Sequence, residues 1–309
     1  MAKAVSKLLD ELVDEFNTNR PDIILILGDR GEPFAAAIAG TYLNIPIAHI
    51  HGGEVSGSVD ESVRHAISKL SHIHFPATQL SAERLIKMGE AKERIFITGA
   101  PGLDSILNME FASKTELCLK LGLDPSEDII VVIQHPVTTE YIPGNAKKQM
   151  SSTLKAIQRL NKQTVIIYPN SDAGGREMIS EIMKIESNPK IHVLKNLLSE
   201  DYRNLLKHSV LLIGNSSSGI IEAPSFNLPV INIGTRQARR ERAGNVVDIE
   251  QDSEKIFHLA NKILVNEAYR KELQNVTNPY GDGTASKKIV KVLKEIKITP
   301  ELLQKVITY

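Results

Sequence analysis

The chain has 309 residues, 42% apolar and 24% charged, enough to bury one large core or two ordinary ones and unlike a disordered sequence. Lys plus Arg and Asp plus Glu number 37 each, a balance that gives no sign of nucleic-acid binding and makes any anion site a local matter. The single cysteine, Cys118, excludes an intramolecular disulfide and multi-cysteine metal sites, and reads as a small buried apolar residue.

The opening MAKAVSKLLDELVDEF mixes charged and apolar residues and predicts an amphipathic helix of a cytosolic protein. No stretch of the sequence approaches the roughly 18–20 apolar residues that span a bilayer. Ile23–Leu27 predicts a strand running into Gly-Asp-Arg, followed by a small-residue helix ending near Asn44 and a strand over IPIAHIH. A helix over Ser62–Ser71, an extended segment over His72–Ala77, a helix over Ser81–Met88 and a strand over Arg94–Thr98 complete this series. The pattern then restarts with a helix over Ala112–Leu121 stopped by Gly122, a buried strand over Asp128–Gln134 and a helix over Met150–Leu160. Next come a strand over Thr164–Tyr168, a helix from about Arg176, and strands over Ile191–Leu194, Val210–Ile213 and Pro229–Ile233. A strand near Val246–Ile249 completes the second sheet, and the chain from about Ser253 is helical, broken by NPYGDGTA before Lys287. Short aliphatic strands alternating with helices predict parallel sheets covered on both faces, here two doubly wound α/β domains joined between Gly99 and Asp124.

Ligands of such sheets bind beyond the carboxyl ends of the strands, so polar residues just after strands are the first candidates. Ser216, Ser217, Ser218 and Gly219 lie between a strand and a helix start, where amides and hydroxyls suit a phosphate, although an ordinary serine cap gives the same pattern. Glu222, one helical turn later, suits the two hydroxyls of a ribose, and Arg236, directly after a strand, suits a phosphate. His135 follows a buried strand, and stands equally for a structural histidine and a site residue. Asn170 shares that edge, whereas Asp172 and Gly174-Gly175 fit a turn.

In the first half, Asp29 follows a strand, and His51, Glu54, Asp60, Arg64 and His65 crowd behind the next. Asp60 also fits a helix cap and Arg64 an ion pair with Glu61. So many acids and bases nonetheless exceed what capping requires, and suit a site that removes and returns a carbon-bound proton. His49 with His51, and His72 with His74, would each share a strand face, which makes a metal site with Asp29 conceivable; no zinc or two-metal motif matches, so the non-metal reading ranks above it.

The strings GDRGEPFAAA, HIHGGEVSGSVDESVRHAISKLSH, QHPVTTE, PNSDAGG and SSSGIIEAPSFNLPVINIGTRQ resemble, in order from about Arg20 to about Thr284, the hydrolysing UDP-N-acetylglucosamine 2-epimerases of sialic-acid biosynthesis. The resemblance implies two Rossmann-like domains facing a cleft in a GT-B-like arrangement: residues 1–110 with the catalytic carboxylates, 111–290 for the nucleotide, and a helical tail over 291–309. It implies release of UDP and N-acetylmannosamine by elimination to a 2-acetamidoglucal and hydration with inversion at C2. It further implies no cofactor or metal, no nucleic-acid or membrane partner, a homodimer or homotetramer, and a cytoplasmic location.

Carried over by position, Asp29 and Asp60 are catalytic carboxylates, His135 sits beside diphosphate and sugar, Ser216 and Ser217 hold the diphosphate, Glu222 the ribose and Arg236 a phosphate. Arg64, His65, Asn170, Ser218 and Gly219 complete the expected substrate contacts. Many relatives carry glutamate where this chain has His51, so His51 or Glu54 takes that acid–base role. The family also begins with further βα units and a GTRxxY-like turn, which implies a truncated first domain, incomplete at its N-terminus, with Ile23–Leu27 as an unpaired apolar edge covered by dimerisation. The alternatives are the same chemistry on GDP-N-acetylglucosamine or a UDP-diacetamido sugar, a nucleotide-binding protein with little turnover, and a metal-assisted hydrolase.

Overall fold

A computed structural model describes residues 2–56, 60–137, 142 and 144–309. The Gly57–Val59 part of the GGEVSGSVDES string and the Thr138–Thr139 pair of QHPVTTE lie outside the described residues. The chain forms two compact units, one made of Met1–Ser105 with Pro279–Tyr309 and the other of Ile106–Asn278.

The first unit opens with α1 (Ala2–Thr18), β1 (Ile24–Leu27), α2 (Gly31–Tyr42) and β2 (Ile47–Ile50), then α3 (Asp60–Leu70), β3 (Ile73–Phe75) and α4 (Gln79–Lys87). The three strands are parallel in the order β1-β2-β3, with Ile26 opposite His49 and His49 opposite His74. Ile24, Ile26, Ile47 and Ile67 pack on one face of this sheet with Phe16 and Phe34. Alternation along β1 leaves Leu25 and Leu27 exposed at the free edge. The run Arg94–Thr98, expected as a strand, contains the end of a 3₁₀ turn over Lys92–Arg94 and then a single bridge between Ile95 and His74. The bond from Phe96 N–H to the His74 carbonyl belongs to that bridge, and Thr98 N–H to the Pro76 carbonyl extends it by one, too little for a ladder.

After α5 (Pro101–Leu107), the second unit runs α6 (Lys114–Leu121), β4 (Ile130–Ile133), α7 (Asn145–Leu160), β5 (Thr164–Ile167) and α8 (Gly175–Ile182). It continues through β6 (Ile191–Leu194), α9 (Ser199–His208), β7 (Leu211–Gly214), α10 (Ser218–Ile221), β8 (Val230–Ile233), β9 (Val246–Ile249), α11 (Ser253–Val265) and α12 (Glu267–Leu273). All six strands are parallel in the order β6-β5-β4-β7-β8-β9. This is the dinucleotide-fold order, and its switch point, where ligands of such sheets bind, falls between β4 and β7. The central strands IVVI, LLIG and VINI are buried along their whole length, because helices cover both faces. Ser113 caps α6 with a reciprocal Glu116 bond, and Gly122 ends it in a left-handed turn, as the sequence predicts. Cys118 is buried in this helix.

The chain then returns to the first unit through α13 (Ala285–Glu295) and α14 (Pro300–Leu303). The division at residue 290 expected from the sequence is therefore corrected: residues 279–290 belong with the first unit, as does the tail. The physical reason is apolar burial, since Ile289 and Leu302 fill the sheet face under Ala48, Ile50, Ile73 and Phe75. No helix among the described residues is long and apolar enough to cross a membrane.

Candidate active site

In the first unit, the turn after β1 presents Asp29. Gly28 N–H donates to the Ile50 carbonyl at 3.1 Å, and the Gly28 carbonyl lies 2.9 Å from His49 Nε2. A carbonyl only accepts, so Nε2 carries the ring proton and Nδ1 accepts from Ser68 Oγ at 3.1 Å. Burial pushes the His49 imidazole down to about 3, so it is a neutral brace for this turn and not an acid.

Arg64, 2% exposed on α3, donates to Asp29 Oδ2 and, at 2.9 Å, to the Glu54 carbonyl. It thereby ties the β1 turn to the loop after β2. The ion pair with Glu61 that would have made Arg64 unremarkable does not form; Glu61 instead accepts from Ser56 N–H at 2.8 Å and stands 3.8 Å from His65 Nε2. Asp60 opens α3 one turn before Arg64, on the same helix face. His51 takes a left-handed backbone, φ 67°, and its Nδ1 lies 2.5 Å from Oε1 of the buried Glu54. The loop is pressed on α4 at Gly53, φ 78°, where a Cβ would stand 2.1 Å from the Ser81 carbonyl. Asp29, Arg64, Glu54 and His51 thus form one bonded group. His65 stays with Glu61 outside it, its pKa lowered by burial.

The strand-face histidines are engaged by protein atoms: His72 Nδ1 accepts from Ile47 N–H at 3.1 Å, and His74 Nε2 lies 2.9 Å from Glu90 Oε2. Among the described residues no group of three or more His, Cys, Asp or Glu is placed to hold a metal ion.

In the second unit, the expected residues meet at the switch point. His135 follows β4 and Asn215 follows β7, and they exchange two bonds: His135 N–H to Asn215 Oδ1 at 2.6 Å, and Asn215 Nδ2 to the His135 carbonyl at 2.8 Å. Asn170, after β5, donates its backbone N–H to His135 Nδ1 at 3.0 Å, so Nε2 is the protonated nitrogen. Asn170 also donates to Asp172 at 2.6 Å, and Asp172 stands 4.0 Å from the Arg236 guanidinium. Arg236 and Gln237, after β8, both donate to the Asn215 carbonyl, at 3.2 and 2.9 Å. Asp172 is therefore more than turn filler. Asn215 is the residue that sequence reasoning left out of the site, although it stood one place ahead of the serines, directly at a strand end.

The helix expected from about Gly219 is a single turn, α10, passing at Glu222 into a 3₁₀ turn over Ala223–Phe226. So short a helix has little macrodipole, and the anion-binding capacity of the loop rests on hydroxyls. Ser217 occupies the cap position without making a side-chain cap bond. Ser218 Oγ donates to Ser216 Oγ at 3.0 Å and is itself 2.5 Å from the Tyr202 hydroxyl. With the Ser218 proton committed to Ser216, the Tyr202 proton goes to Ser218. Gly219 is placed by packing: a Cβ there would stand 2.9 Å from Val230. Burial raises the Glu222 carboxyl, with Arg203 opposing, and burial together with the neighbouring Glu222 raises the Tyr202 phenol above its ordinary value. Tyr202 sits on α9, a helix the sequence pattern did not reveal.

The sequence profile of the family described as UDP-N-acetylglucosamine 2-epimerase matches residues 1–294. A Legionella pneumophila protein named UDP-N,N'-diacetylbacillosamine 2-epimerase (hydrolyzing) is 43% identical over 309 residues, 100% of this chain and 80% of that protein. A Neisseria meningitidis serogroup B UDP-N-acetylglucosamine 2-epimerase is 37% identical over 255 residues, 82% of this chain and 64% of that one. Among solved structures, an S. aureus MnaA–UDP co-structure aligns with a TM-score of 0.79 at 25% identity, covering 94% of this chain and 78% of that one. The fold is likewise that of the Neisseria meningitidis UDP-GlcNAc 2-epimerase bound to UDP-GlcNAc, with a TM-score of 0.82 at 23% identity over 94% of this chain and 81% of that one.

Proposed function

Because this chain belongs to the UDP-N-acetylglucosamine 2-epimerase family, we propose that it is a hydrolysing 2-epimerase converting UDP-N-acetylglucosamine to UDP and N-acetylmannosamine. The observation that carries the reading is the bonded group of Asp29, Arg64, Glu54 and His51 behind adjacent parallel strands.

A base removes the C2 proton as the C1–oxygen bond to UDP breaks, leaving a C1–C2 double bond; water then adds its oxygen at C1 while an acid returns a proton to the opposite face of C2. Asp29, Asp60 and the His51–Glu54 pair supply these proton transfers, with Arg64 fixing Asp29 against the neighbouring loop. In the second unit, Ser216, Ser217 and Arg236 hold the diphosphate, the Nε2–H of His135 donates to it, and Glu222 takes the ribose hydroxyls. Each favours the anionic leaving group. A UDP-diacetamido sugar is the second reading, favoured by the name of the relative that is 43% identical along the whole chain.

The test is to incubate the protein with UDP-N-acetylglucosamine, and in parallel with UDP-N,N'-diacetylbacillosamine, and follow UDP and free sugar. Asp29→Asn is expected to lower kcat about a hundredfold or more. Its affinity for UDP should stay near that of the parent, since Asn170, Asn215 and Arg236 are untouched. Turnover by the variant at the parent's rate would remove Asp29 from the chemistry.

A further inference from the structure

A buried ionic cluster lies in the first unit away from the Asp29 group. Glu90, fully buried, accepts from Lys69 Nζ at 2.9 Å and Lys305 Nζ at 2.6 Å and lies 2.9 Å from His74 Nε2. Lys305 comes from the segment after α14 and does more than pair with Glu90. Its ammonium donates to the carbonyls of Ser68, Lys69 and Ser71 at 3.0, 2.9 and 2.7 Å. Those carbonyls lie at the C-terminal end of α3, where unsatisfied acceptors and the helix dipole favour a cation. The segment itself is pinned by Arg94, which donates to the carbonyls of Leu302 and Glu301 at 2.8 and 2.6 Å, and by the bond from Thr308 N–H to the Gly89 carbonyl at 3.2 Å.

The same helix carries the site. Ser68 gives its carbonyl to Lys305 and shares its hydroxyl with His49, whose other ring nitrogen braces Gly28 beside Asp29. Arg64, one turn earlier, holds Asp29 directly. We propose that Lys305 is a positioning residue for the epimerisation site: by capping α3 it sets Ser68, His49 and Arg64, and through them the Asp29 carboxylate. The proposal rests on the reading of Asp29 as a catalytic carboxylate.

Burial lowers the Lys305 ammonium to about 8, although Glu90 opposes the shift. The other charged or titratable groups facing it are Lys69 and Arg94, which disfavour its charge, and His72 and His74, which burial keeps neutral where the ammonium titrates. An ammonium has three protons for these four acceptors, a neutral amine two, so the cap loosens as pH rises through that value.

The experiment compares the full chain with Lys305→Met and Lys305→Arg, reading kcat and KM across pH 6.5–9.5 and backbone hydrogen exchange over residues 28–31. Lys305→Met is expected to lower kcat about ten- to a hundredfold with KM for the nucleotide sugar little changed, the cost of small misplacement at a distance. Exchange at residues 28–31 should rise while that of Asn215 does not. Lys305→Arg should restore kcat and remove the alkaline decline near pH 8, which a purely structural cap would not do. If Lys305→Met fails to fold, Ser68→Ala cuts the link to His49 while keeping the carbonyls, and should lower kcat in the same way. Unchanged exchange at residues 28–31 in a folded Lys305→Met protein, or unchanged kcat in it, overturns the proposal. Should the parent release UDP from no sugar nucleotide, the enzymatic reading fails instead, and the link from Lys305 to Asp29 stands or falls on exchange alone.

Discussion

Tyr202 is buried beside Glu222, which keeps its phenol protonated and so a donor at any ordinary pH. Ser216 Oγ accepts from both the Ser218 hydroxyl and, at 3.4 Å, the Ser218 N–H. Its own proton is therefore left to point at an incoming anion, and each bond in the series polarises the next. Tyr202→Phe should weaken UDP binding about three- to tenfold, the worth of one such bond, while uridine, which has no phosphate, binds as before. Calorimetric titration with both ligands tests this; equal losses for the two would place Tyr202 in general packing and not in phosphate orientation. The histidines carry a related lesson. His49 and His51 look alike in the sequence, two places apart at the end of the same strand. One is fully buried between a carbonyl and a hydroxyl, the other faces Glu54, and only tertiary packing separates brace from acid–base candidate.

Among the elements, the strand β7 ends in a residue that must be glycine. Gly214 has φ 142°, and a Cβ there would stand 1.9 Å from the Ile133 carbonyl of β4. The close approach is what lets Asn215 and His135 exchange bonds across the switch point. Gly214→Ala should destabilise the second unit by about 2–4 kcal/mol, from backbone strain and overpacking together, read from urea unfolding. A loss below about 1 kcal/mol would mean that β4 and β7 separate without cost to the core. The strands were legible because aliphatic runs such as IVVI and VINI have no polar face, and only a sheet covered on both sides tolerates that. Three features were not legible for identifiable reasons. Helix α9 (SEDYRNLLKH) has only a narrow apolar stripe, the helix expected from about Gly219 is cut to the single turn of α10, too short for periodicity to bound, and Arg94–Thr98 alternates like a strand but has only β3 to lean on. The polar residues that meet after β4, β5, β7 and β8 were legible as strand-end candidates. Asn215 and Tyr202 were not, since their roles are to hold other residues.

At the scale of the molecule, buried histidines set the response to acid. Burial holds His49 near 3 and His72 near 4, against an ordinary 6.5. Between those values the unfolded chain binds protons that the folded chain refuses, so stability falls as pH drops from about 6.5. Burial alone would raise Glu90, but bonds from His74, Lys305 and Lys69 take it down to about 2. Its contribution is present above the ordinary carboxylate range and is lost as pH falls through that range, in the same direction. The melting temperature should therefore decline steadily from pH 6.5 to pH 4 in calorimetry. A flat profile would show that His49 and His72 are reached by water in the folded state.

The discontinuous first unit has a consequence for the order in which the protein is made. Residues 106–278 form one uninterrupted stretch, whereas the first unit lacks Ile289, Leu302 and Lys305 until the whole second unit has left the ribosome. During synthesis the later unit can finish folding before the earlier one, since domains tend to fold as units as they emerge. Until then Ala48, Ile50, Ile73 and Phe75 wait without the helices that cover them. The nascent chain closes from the inside out, and residues made after the second unit are the stitch that completes a sheet made before it.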